Sequence, residues 1–156
     1  MHLARVWAQG KTTLDLAVDE VSSNLLGTLR FLANIGQRAI NIIFPSSVEV
    51  YGVPDRLPMP ECHHLRPLSP YAVAKAAVEE FLLVHAFKSN NSVTILRYAT
   101  VYGPGELEPL AIPNFIRAIL NGKSPVIDGD GLDVRDYVFI NDVVDATLLA
   151  IVNERT

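Results

Sequence analysis

Two short strand-like runs, residues 39–45 and 92–98, each follow closely on a longer segment of helical periodicity. That order constrains the fold more than any single residue does. Residues 14–35 place Val18, Val21, Leu25, Leu26, Leu29 and Leu32 at spacings of three and four, which is one face of an amphipathic helix. Gly36 stands where that helix must stop, at a position where a positive φ costs nothing. Residues 39–45 are short and rich in Ile, as in a strand covered on both faces. A proline-rich loop occupies residues 51–70. Ser69 then suits the cap of a second helix, with Pro70 at its first position, running to about Lys88. Residues 92–98 are the next strand, and residues 1–4 are an apolar fragment too short for a complete element. Strands alternating with helices over short links imply a parallel α/β sheet with right-handed crossovers.

The texture changes after Gly103. Residues 109–120 read as a helix, 125–127 as a short strand, 128–132 as a turn with two glycines, and 134–140 as a half-buried strand. Asn141 or Asp142 would cap a last helix through Val152. A length of 156 residues allows one domain, and 49% hydrophobic against 19% charged residues excludes wholesale disorder. A net charge of −4 argues against a nucleic-acid partner. No apolar stretch approaches the ~20 residues that span a bilayer, so no membrane partner is expected. Neither does a basic and apolar leader open the chain. A lone cysteine, Cys62, fits a reducing cytoplasm.

In a parallel α/β sheet, ligands bind beyond the carboxyl ends of the strands. Ser46 and Ser47 fall at such an end, and Tyr71 and Lys75 lie on one face of the following helix. A lysine beside a tyrosine hydroxyl favours the phenolate, drawing its pKa down from ~10 toward working pH, where it serves as a general base. A serine hydroxyl from the strand end would hold the substrate oxygen in line. By spacing alone, an exposed Tyr–Lys pair is the plain alternative. Cys62, His63 and His64 are adjacent, whereas structural zinc takes four spaced ligands, so no metal site is expected and the loop reads as a cover for the site.

Six segments in order carry a resemblance: MHLA (1–4), NLLGTLRFL (24–32), FPSSVEVYG (44–52), PLSPYAVAK (67–75), LRYATVYGPGE (96–106) and GDGLDVRDYVFINDVVDA (129–146). Together they resemble the extended short-chain dehydrogenase/reductase family, and within it the nucleotide-sugar epimerases and dehydratases of the UDP-glucose 4-epimerase type. The resemblance implies a partial, Rossmann-like, doubly wound parallel sheet with the start of a smaller substrate-binding lobe. Residues 1–103 would belong to the NAD-binding domain and 104–156 to that lobe with a returning strand and helix. Tyr71 would be the catalytic acid/base, Lys75 its partner and a contact of the nicotinamide ribose, and Ser47 the assisting hydroxyl. Leu3, Ala4, Asn24, Ser46, Tyr98 and Ala99 would line the NAD cofactor, with NADP an open alternative. Ser47, Glu49, Tyr71, Thr100 and Arg135 would meet a nucleotide-diphosphate sugar, Arg135 clamping the diphosphate with its fixed fork. A salt bridge to Asp133 or Asp136 is the alternative for Arg135. The two long helices would pair with a second copy in a homodimer.

Several positions depart from the family pattern. Thr100 stands where many epimerases have asparagine. Val48 replaces the aspartate of many dehydratases, and Ser47 their threonine. Val48 is neither acid nor base, which favours epimerisation by transient oxidation at the sugar C4. Glu49 occupies the place of the catalytic glutamate of dehydratases and decarboxylases and keeps those activities as the alternative. The glycine-rich dinucleotide fingerprint is expected before Met1. Gly103/Gly105 and Gly129/Gly131 lack its third glycine, and Gly10-Lys11-Thr12 lacks the first glycine of a phosphate loop. The expectation is a central slice that binds dinucleotide weakly by itself, with a non-catalytic dimerising α/β module as the rival from another class.

Overall fold

The computed structural model describes residues 12–36, 40–89, 91–107, 110–127, 129–132 and 134–153. The fragment expected at residues 1–4 lies outside them. Two compact units divide the chain, one of Met1–Tyr98 with Leu149–Thr156, the other of Ala99–Leu148.

In the first unit, strands β1 (Asn41–Ser47) and β2 (Ser92–Tyr98) pair in parallel, from Asn41 opposite Ser92 to Ser47 opposite Tyr98. The first strand therefore sits two residues later than its apolar run suggests, because Ser46 and Ser47 continue the ladder beside Arg97 and Tyr98. Alternation turns Ile42, Phe44, Val93 and Ile95 to one sheet face. Leu32, Val78 and Leu82 from two helices close the core over them.

The helix expected over residues 14–35 is there, but it is not uniform. Regular turns α1 (Thr13–Glu20) and α2 (Gly27–Ile35) flank a π-helical stretch, Val21–Leu26. Its buried residues are Glu20, Asn24, Thr28 and Leu32, a constant step of four. In a regular α-helix each step of four drifts by about 40°, and a wider turn takes up part of that drift. The stripe thereby stays on the core. A capping box opens α1: the Thr12 hydroxyl accepts from the Asp15 amide at 3.2 Å, and the Asp15 carboxylate accepts from the Thr12 amide at 3.1 Å. Gly36 ends α2 at φ 66°, in the region that glycine enters freely.

Helix α3 (Pro70–Lys88) starts where the sequence indicates, with the Ser69 hydroxyl accepting from the Ala72 amide at 3.1 Å and Pro70 in the first turn. It packs beside α1 and the π-helical stretch.

In the second unit, β3 (Thr100–Tyr102) and β4 (Tyr137–Phe139) pair in parallel, and Tyr102 packs against Tyr137 and Phe139. Helix α4 (Ala111–Leu120) tolerates Pro113 because amides of a first turn have no helical acceptor. Helix α5 (Ile140–Val152), which belongs to this unit as far as Leu148, begins one residue before Asn141, so Asn141 and Asp142 lie in its first turn rather than capping it. The strand expected at 125–127 does not form: Val126 and Ile127 are exposed and no described strand pairs with them. The strand read over 134–140 narrows to Tyr137–Phe139 for the same reason, since only those residues have partners on β3.

Candidate functional site

The carboxyl end of β1 gathers side chains from several elements, and three consecutive residues there are each held by a different bond. The Pro45 carbonyl accepts from Lys75 Nζ at 3.0 Å. The Ser46 hydroxyl donates to the Glu79 carboxylate. The Ser47 hydroxyl accepts from the Glu49 amide at 3.2 Å and turns the chain into a 3₁₀ turn, Val48–Tyr51. Gly52 follows at φ 68°, where a Cβ would strike the Arg66 carbonyl oxygen, so the loop can return over this turn only past a glycine.

Lys75 is only 3% exposed. Its ammonium lies 4.9 Å from the centre of the Phe44 ring and 5.7 Å from that of Tyr71, one turn earlier on the same helix. Burial pushes the Lys75 pKa down, while the charges of Glu20 and Glu79 oppose that shift. Tyr71 and Lys75 are thus brought together at the strand end that bears Ser46 and Ser47. Asn24 is buried on the π-helical stretch, its amide donating to the Glu20 carboxylate. Glu49 is exposed, and its carboxylate accepts from the Ser69 hydroxyl at 3.2 Å, the same hydroxyl that caps α3.

Tyr98 closes β2 opposite Ser47. Ala99 opens the second unit, where the Thr100 amide donates to the Asp136 carbonyl at 3.1 Å and Arg135 is exposed just ahead of β4. Leu3 and Ala4 lie outside the described residues. In the proline-rich loop, His63 Nε2 accepts from the Asp55 amide at 3.1 Å and Nδ1 faces the His64 carbonyl at 2.8 Å, so backbone groups occupy both ring nitrogens. Cys62 is exposed.

Sequence reasoning missed one group entirely. Glu79, 1% exposed, receives Arg97 through Nε at 3.2 Å to each oxygen and through Nη2 at 2.6 Å. Arg97 also reaches the Tyr51 hydroxyl. The signal was available: Arg97 is the only charge in the run SVTILRY, and Glu79 stands four residues after Lys75 on the same helical face.

The chain belongs to the NAD dependent epimerase/dehydratase family, whose model matches residues 1–156. A putative UDP-glucose 4-epimerase of Methanocaldococcus jannaschii is 39% identical over 82% of this chain and 44% of its own length. The UDP-N-acetylglucosamine 4-epimerase of Methanobrevibacter ruminantium, solved with UDP-N-acetylmuramic acid, superposes with a TM-score of 0.82 at 33% identity, over 97% of this chain and 51% of that one. The UDP-glucuronic acid 4-epimerase of Bacillus cereus, solved with UDP-glucuronic acid and NAD, gives a TM-score of 0.77 at 31% identity, over 86% and 43% of the two chains. The fold is accordingly part of a Rossmann-like α/β architecture, and the chain spans about half the length of the relatives it matches. Among the described residues no helix is long and apolar enough to cross a membrane.

Proposed function

We propose that the protein is an NAD-dependent epimerase that inverts C4 of a UDP-sugar, with Tyr71 as acid/base, Lys75 as its cationic partner and Ser47 as the hydroxyl that orients the sugar oxygen. One observation carries this reading: a lysine ammonium buried at the carboxyl end of a parallel strand, 5.7 Å from the ring of a tyrosine one turn away. A buried cation there favours the phenolate and so equips Tyr71 to take a proton from the sugar hydroxyl and later return it. The flanking carboxylates Glu20 and Glu79 help Lys75 keep its charge against burial.

The donor set of the first unit suits a dinucleotide: Lys75 and Tyr71 would bind ribose hydroxyls, and Ser46 and Tyr98 stand at the carboxyl ends of β1 and β2, while Asn24 and Ala99 would supply further contacts. NAD, when bound, supplies the reversible two-electron oxidation at the sugar carbon. Thr100 and Arg135 would hold the diphosphate. Residues 1–103 would form part of the NAD-binding domain and 104–156 part of the substrate lobe. The outward faces of α1, α2 and α3 expose Val18, Phe31, Phe81, Val84 and Phe87, an apolar surface suited to a second copy. With a single cysteine, the reading is of a cytoplasmic homodimer.

A second reading, a 4,6-dehydratase or decarboxylase, rests on Glu49, whose carboxylate stands beside the Ser69 cap two residues after Ser47. Val48 in place of an acid weighs against it. The intact protein, given NAD and UDP-glucose, should produce UDP-galactose, visible in the anomeric region of the proton NMR spectrum. Tyr71→Phe should slow this by about 10²- to 10⁴-fold. A 4-keto-6-deoxy product, or release of carbon dioxide from UDP-glucuronate, would establish the second reading. No turnover of any of these substrates would refute both.

A further inference from the structure

Arg97 joins five segments of the first unit. On its inner side, Nε and Nη2 grip Glu79 of α3, whose carboxylate also receives the Ser46 hydroxyl of β1. On its outer side, Nη1 donates to the Tyr51 hydroxyl at 2.6 Å and to the Glu61 carbonyl at 3.2 Å, with the guanidinium 4.7 Å from the centre of the Tyr51 ring. The Tyr51 hydroxyl donates to the same Glu61 carbonyl at 3.2 Å.

We infer that Glu79 and Arg97 are positioning residues for the Ser47, Tyr71 and Lys75 site, fixing α3 against the ends of β1 and β2 and latching the loop of residues 52–68 through Tyr51 and the Glu61 carbonyl. The inference rests on the reading of that site given above. Tyr71, Lys75 and Glu79 lie four residues apart in turn along one rigid helix, so holding Glu79 sets the angle at which the other two approach the strand end. Ser46, which Glu79 holds, is the neighbour of Ser47. A buried ion pair is a poor stabiliser compared with an apolar packing of equal volume. Stability therefore does not account for a guanidinium bonded to a helix, a turn and a loop at once, and through Glu79 to the end of β1. Specified geometry does.

Tyr51→Phe and Arg97→Lys test this in the intact protein. The first keeps the ring and removes the hydroxyl; the second keeps the charge opposite Glu79 and removes the fork. Amide exchange read by mass spectrometry should rise about fivefold to tenfold over residues 52–68 in Tyr51→Phe, at an unchanged melting temperature. In Arg97→Lys it should rise over residues 45–49 as well, while the middle of α3 stays protected. Turnover by Arg97→Lys should fall about tenfold or more in kcat, with KM for the sugar nucleotide within about twofold. Unchanged loop exchange in both variants overturns the inference, as does a rise spread evenly over β1, β2 and α3, which marks a plain structural pair. The exchange readout needs no turnover, so an inactive wild-type protein would overturn the epimerase reading while exchange alone still decided this one.

Discussion

Helix α3 of the first unit and helix α4 of the second are both rich in apolar residues, yet α3 buries Ala72, Ala74, Lys75, Val78, Glu79 and Leu82, whereas α4 buries none of its residues. The contrast extends to charge. Glu20, Lys75 and Glu79 are all buried, and all belong to the first unit. Arg135 in the second is exposed. These buried groups act on one another through a weakly screened medium, so the burial that depresses the Lys75 pKa and the carboxylates that oppose it both matter. Charges on the second unit are screened by solvent over ~8–10 Å and act on what touches them directly. This difference matches the roles proposed above, proton transfer by Tyr71 and Lys75 in the first unit and a diphosphate contact by Arg135 in the second.

Mutations sharpen or break that contrast. Leu82→Ala removes a fully buried side chain and should cost about 2–5 kcal/mol in urea unfolding. Ser69→Ala removes the cap of α3 and should cost about 1 kcal/mol. Lys75→Met should change how stability depends on pH. The native pKa of Lys75 lies below its ordinary 10.5, so between those two values the unfolded chain holds a proton that the native state has released. The wild type should thus gain stability as pH rises through that window, and the variant should lack that gain in parallel unfolding curves. Leu120→Ala, at a position 80% exposed, should stay within about 0.5 kcal/mol. Equal losses from Leu82→Ala and Leu120→Ala would erase the distinction between the units.

Much of the first unit was legible because its signals are local. Ser69 with Pro70, the run at 92–98 and Gly36 each mark an element end through backbone chemistry that acts within a few residues. The strand at 125–127 was misread because apolar β-branched residues specify a strand only when a neighbour completes the ladder, and Val126 and Ile127 have none among the described residues. The pairing of Tyr71 with Lys75 followed from helical spacing. The partners of Lys75, by contrast, come from α1, β1 and further along α3, and no periodicity in one segment reports a contact between three. The same holds for Arg97: a lone charge in an apolar strand announces that a partner exists without saying which carboxylate it is.

The widened turn at Val21–Leu26 separates two things a helix normally couples, the number of residues in it and the direction its faces point. One extra residue can be housed there while the turns on either side keep their phase. Glu20 before it and Leu32 after it consequently remain on the core side of one continuous rod. The segment is a point at which chain length is adjustable by a single residue: removal of one residue would return the stretch to regular α-helix and leave the caps at Thr12 and Gly36 in place.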